Sequence, residues 1–139
     1  MYILKTEASF DSAHFLSGYD GKCRNIHGHR WRVIAEIFSD TLVESGQERG
    51  MIVDFSKFKE ALKTEADELD HSLIIEKDSL PDELFNMLCE NGFRLITLEF
   101  RPTAENLAAY FYKKLSEKNF RLKEISVYET PNNCAVYSE

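Results

Sequence analysis

From His27 to Ile37 every second position belongs to one row: His27, His29, Trp31, Val33, Ala35 and Ile37. Side chains on a β-strand alternate between faces, so this row is one face of a strand. Most of the row is apolar and has to be buried. Its first two members are imidazoles, with Gly28 between them leaving the backbone bare for close approach of a ligand. A third imidazole, His14 in Phe10-Asp11-Ser12-Ala13-His14, comes within reach if the segment before it is a neighbouring strand. Three neutral imidazole nitrogens with one coordination position left over form the donor set of a catalytic zinc site. A lone histidine is more often a core or surface residue. Three of the chain's four histidines in one short stretch argue for a metal, zinc first. Cobalt, nickel or iron also suit such donors.

The rest of the chain predicts one α+β domain over residues 1–139, without repeats or linkers. Residues 2–10 alternate and predict a first strand running toward His14. Residues 15–26 carry Ser17-Gly18-Tyr19-Asp20-Gly21 and read as a loop. The second strand runs through His29–Ser39, and residues 40–50 form a polar connection. Asp54 is a good N-cap for an amphipathic helix over 54–69, with Phe55, Phe58, Leu62, Ala66 and Leu69 as its apolar stripe. Pro81 to Asn91 predicts a short helix stopped by Asn91-Gly92, and Arg94–Phe100 an extended piece. Thr103 caps a clearer helix with Ala104, Leu107, Ala108, Phe111 and Leu115 as its stripe. Strands over Leu122–Glu129 and Cys134–Tyr137 follow, turned by Pro131-Asn132-Asn133. The order is ββααββ with one possible extra element: an antiparallel sheet with helices on one face.

A net charge of −7 argues against a nucleic-acid surface, which needs a basic face. It leaves room for a small anionic substrate, because Arg24, Arg30 and Arg32 cluster around the histidines. No apolar run approaches a membrane span, and Met1-Tyr2-Ile3-Leu4-Lys5 lacks the architecture of a secretory signal. Three cysteines without a disulfide-like spacing suit a reducing cytoplasm.

Cys23 lies four residues before His27, between Lys22 and Arg24, a setting that suits a thiolate. Two roles compete for it, fourth metal ligand or general base. Cys89 and Cys134 lack such context and read as packing residues. Asp70-His71, past the end of the first helix, is by itself an ordinary surface pair. With Cys23 in view it also offers a proton-transfer group and a carboxylate to tune it. Glu129 ends an apolar row with Ile125 and Val127, and a carboxylate there is costly unless it is paired or bound to a ligand. Glu105 in a helix first turn suits the helix dipole without further purpose.

Six pieces occur in order: Phe10-Asp11-Ser12-Ala13-His14, Cys23-Arg24-Asn25-Ile26-His27-Gly28-His29, Met51-Ile52-Val53-Asp54-Phe55, Leu69-Asp70-His71, Pro102-Thr103-Ala104-Glu105-Asn106 and Val127-Tyr128-Glu129-Thr130. Together they resemble the 6-pyruvoyl-tetrahydropterin synthase family over nearly the whole chain. The three residues between Cys23 and His27 are similar to the bacterial branch, 6-carboxytetrahydropterin synthase. The resemblance implies a tunnelling fold, in which four-stranded antiparallel sheets from several subunits join into a barrel. It implies a homo-hexamer of two stacked trimers with active sites at subunit interfaces. It further implies conversion of 7,8-dihydroneopterin triphosphate to 6-carboxy-5,6,7,8-tetrahydropterin, acetaldehyde and triphosphate, on the route to queuosine and other deazapurines.

By the same resemblance, Zn2+ sits on His14, His27 and His29, with Cys23, Asp70 and His71 as the catalytic proton-transfer groups. Glu129, with Glu105 assisting, holds the pterin. Two features depart from the family. Arg30 stands where a smaller or uncharged polar residue is usual, and segment 76–101 is longer than in compact bacterial members. The alternatives are 6-pyruvoyltetrahydropterin formation, side-chain cleavage to 6-hydroxymethyldihydropterin, and a non-catalytic pterin- or metal-binding module. Cys23 counts against the second, and the complete set of proton-transfer residues against the third.

Overall fold

The computed structural model describes residues 1–139. Its elements are β1 (Tyr2–His14), β2 (His27–Ser39), α1 (Phe55–Leu69), β3 (Ser72–Glu76), α2 (Asp82–Glu90), β4 (Leu95–Leu98), α3 (Ala104–Ser116), β5 (Leu122–Thr130) and β6 (Asn133–Tyr137), with a single 3₁₀ turn at Lys22–Arg24. The strands form one sheet in the order β4-β3-β1-β2-β5-β6. The α+β class holds, but the expected count does not. The sheet has six strands rather than four, and β3 and β4 add to β1 in parallel. Ser72-Leu73-Ile74-Ile75-Glu76 is too short to show a period and follows α1 after only two residues, so the sequence predicts no element there. A parallel strand buried on both faces carries no alternation to betray it. Helix α2 completes three helices, but it buries no residue, so α1 and α3 remain the two that make the core.

The long β1–β2 hairpin positions the site. Its register is unbroken from Tyr2↔Ser39 to His14↔His27. β1 therefore runs to His14, four residues past its expected end, and β2 begins at His27. On one face of β1, β2 and β5 lie Phe10, Trp31, Val33, Ala35, Ile125 and Val127, all buried. Phe58, Leu62, Ala66 and Leu69 of α1 and Leu107, Ala108, Phe111 and Leu115 of α3 complete the same core. Both helices start where their caps predict. Asp54 accepts from the Ser56 N–H at 2.7 Å, and Thr103 from the Asn106 N–H at 3.3 Å.

Candidate metal centre and active site

His14 and His27 are direct cross-strand partners at the loop end of the hairpin, and His29 sits opposite Ser12 two residues along. All three project from the core-side face. The ligand nitrogens of the three rings lie within 4.8 Å of one another. Nε2 of His14 is 3.1 Å from Nε2 of His27. Zinc–nitrogen bonds of about 2.0–2.1 Å in a tetrahedral arrangement put nitrogens roughly 3.3 Å apart.

The outer ring nitrogens decide what those inner ones are. His14 Nδ1 donates to the Pro102 carbonyl at 2.8 Å, and His27 Nδ1 to the Asn25 carbonyl at 2.7 Å. In the neutral ring the second nitrogen is then an acceptor, so two lone pairs face each other. His29 Nε2 is buried and has no hydrogen-bond partner. Opposed lone pairs and an orphaned imidazole nitrogen are repulsive or costly by themselves, and a cation among them removes both penalties. The donor set fits a metal ion.

Beneath the rings lies an aromatic floor. Phe10 and Trp31 stack at 6.1 Å, and the His14 and His29 rings stand at steep angles to Trp31 at 5.0 and 5.3 Å. Burial on this floor pushes both His14 and His29 below the usual imidazole pKa. Both are therefore neutral at pH 7, as a ligand must be.

Cys23 lies half-buried on the 3₁₀ turn, and its carbonyl accepts from the Leu16 N–H at 2.9 Å. It is not part of the convergent nitrogen group. Arg101 ties the same loop to the start of α3 by donating to the Ser17 carbonyl. Glu129 and Glu105 line one cavity of about 310 Å³ with Leu16 and Thr103. Glu129 also reaches the imidazoles, its Oε1 lying 3.5 Å from His29 Nε2. These placements bring the two expected pterin-binding carboxylates together beside the metal donors.

Asp70 and His71 form a tight pair, Oδ2 to Nδ1 at 2.8 Å. The other Asp70 oxygen accepts the Asp11 N–H at 2.8 Å. That amide, and then His71, hold the Asp70 carboxyl below the usual carboxylate range against the opposing effect of burial. His71 and His29 line a common cavity of about 630 Å³, which also contains Asp11, Arg30 and Arg94. Arg30 forks onto Asp11 at 3.0 and 3.2 Å, so its resting partner is a carboxylate of β1. Sequence reasoning missed the carbonyls of Asn25 and Pro102, because a main-chain oxygen leaves no mark on residue type. Their one trace is that both sit inside the quoted motifs.

Comparison with known proteins bears on the whole chain. The 6-carboxy-5,6,7,8-tetrahydropterin synthase of Haemophilus influenzae is 33% identical over a 142-residue alignment covering 100% of both chains. An uncharacterized protein from Wolinella succinogenes has the same fold, with a TM-score of 0.82 at 21% identity, covering 99% of this chain and 98% of its own. The 6-pyruvoyl tetrahydropterin synthase of Plasmodium falciparum gives 0.70 at 22% identity, over 99% and 97%. At such identities the two structures speak for the tunnelling fold alone. The family described as 6-pyruvoyl tetrahydropterin synthase matches residues 3–139. With a full-length relative, a near-complete family match and one shared fold, the chain belongs to the 6-pyruvoyl tetrahydropterin synthase family.

Proposed function

We propose that the chain is a lyase that converts 7,8-dihydroneopterin triphosphate and one water to 6-carboxy-5,6,7,8-tetrahydropterin, acetaldehyde and triphosphate. The Haemophilus influenzae relative carries that product in its name. The single observation that carries the reading is the pair of Nε2 atoms 3.1 Å apart, each on a ring whose Nδ1 is committed to a carbonyl. Zinc is the ion that suits three imidazoles and one open position, and when bound it supplies Lewis acidity to the hydroxyls of the substrate side chain.

The residues of the chain do the rest. Glu129 accepts hydrogen bonds from the amino and ring N–H edge of the pterin and fixes its orientation, with Glu105 across the same pocket. Cys23 takes a proton as the base; its place outside the imidazole group favours this over a fourth-ligand role. His71 presents Nε2 for a second proton transfer, because Asp70 holds Nδ1. The working unit is a cytoplasmic homo-hexamer feeding queuosine and related deazapurines, with active sites between subunits.

Incubating the purified, zinc-loaded protein with 7,8-dihydroneopterin triphosphate tests the reading. Acetaldehyde and the 6-carboxy product in equal amounts are expected. A 6-pyruvoyl product without acetaldehyde assigns the other branch. Tight pterin binding without turnover reduces the chain to a binding module.

A further inference from the structure

His71 stands on a backbone that few residues other than glycine adopt. Its φ is +51°, in the left-handed region, one residue past the C-cap of α1. That position usually belongs to glycine or asparagine, and a bulkier residue stays there only when its surroundings hold it. Four contacts do so. The His71 N–H donates to the Asp11 carbonyl at 2.7 Å, the Asp11 N–H to Asp70, and the His71 ring to the same carboxylate. The fourth comes from outside this cluster. Arg94 donates from Nη1 to the Asp70 carbonyl and from Nη2 to the Glu68 carbonyl, each at 2.7 Å.

The last carbonyls of a helix have no partner within it, and α1 has no basic residue in its last turn. The rigid fork of a guanidinium matches two neighbouring oxygens, where an ammonium reaches one. Arg94 is supplied by segment 76–101, immediately before β4, and its main-chain carbonyl separately accepts the Leu73 N–H at 2.9 Å.

We propose that Arg94 is a positioning residue for the Asp70–His71 pair, its guanidinium fixing the left-handed corner on which His71 is carried. The proposal rests on the reading of His71 as a proton-transfer group. Arg94→Met is expected to lower kcat roughly tenfold or more with KM and metal content within about twofold of the parent. In a His71→Ala background the same change is expected to alter the residual kcat by less than about twofold, because the residue it serves is gone.

Amide hydrogen exchange supplies a readout that needs no substrate. The His71 amide is expected to exchange about tenfold faster in Arg94→Met, while the Leu73 amide, held by the main chain of Arg94, keeps its rate. Arg94→Lys is expected to fall between the two, and it carries the same comparisons if the methionine variant does not fold. A raised KM with kcat intact overturns the proposal by making Arg94 a substrate contact. Equal loss of protection at His71 and Leu73 overturns it by making the arginine merely structural, and so does an equal kcat loss with and without His71. Should the parent protein not turn over the pterin, the exchange rates still decide the matter of Arg94, and only the functional reading falls.

Discussion

At the scale of single residues, the centre is built from groups that are unfavourable until a ligand arrives. His14, buried to 1% exposure, faces the Nε2 of His27 with no proton to share. His14→Ala is expected to abolish metal retention, read by elemental analysis against one ion per chain in the parent. Full retention would show that the metal sits elsewhere. Asp70 carries two roles that one substitution separates. Asp70→Asn keeps an oxygen for the Asp11 amide but turns an N–H toward His71, which forces the wrong tautomer on the ring. Turnover is expected to fall on the order of 10²-fold or more. The Asp70 carboxyl is depressed in the folded chain, so its contribution to stability is present above about pH 4. That contribution is lost as pH falls through the lower folded value. A melting series should therefore decline less steeply on the acid side in Asp70→Asn than in the parent. The convergence of the three histidines, the pairing of Asp70 with His71 and the place of Glu129 beside His29 were legible as positions; the roles given to them belong to the proposed function. Arg94 was not, since it works on main-chain carbonyls that any residue offers.

At the scale of elements, the β1–β2 register does most of the work, and the face it buries was legible. The alternating row from His27 to Ile37 fixes which face is buried, and a slip of one residue would turn every imidazole to the other side. What stayed hidden were β3, whose short run lacks a period, the parallel pairing of β4, which the sequence offers only as an extended piece, and the reach of β1 to His14, where Ser12 and Ala13 mask the alternation. On the opposite face from the core, Glu36 ties three strands together. Its carboxylate meets Lys5 of β1 and, at 3.0 Å, Lys123 of β5, and it is buried to 4% exposure. Burial alone would raise its pKa; the two lysines outweigh it and hold the group below the usual range. Removing both cations strands a buried charge, so Lys5→Met with Lys123→Met is expected to lower the midpoint of urea unfolding. Glu36→Leu, which removes the charge itself, is expected to stay within about 1 kcal/mol of the parent. A double lysine variant as stable as the parent would mean that water, and not the lysines, solvates Glu36.

At the scale of the whole molecule, the sheet ends on two short open edges, β4 and β6, and only one of its faces carries α1 and α3. The bare face is a ladder of charges: Lys5 and Glu36, Glu7 and Arg32, Asp11 and Arg30, with Arg32 stacked 4.3 Å over Tyr128. A charged face tolerates water, as the wall of a channel would, but unpaired strand edges invite pairing. Val136 stands on the β6 edge with 57% of its surface exposed, opposite Ser126. Closing the edges with further copies of the chain accounts for both features, and in the proposed hexamer the sheets form a barrel with that ladder inside. Sedimentation is expected to give six times the 16.1 kDa chain mass. Val136→Lys places a charge on the edge and is expected to lower the mass while leaving the far-UV circular dichroism unchanged. Turnover should fall with the mass, because the proposed active sites lie between subunits and are lost when the subunits part. A parent that sediments as a single active chain would leave the β6 edge without a partner and place the whole site within one subunit.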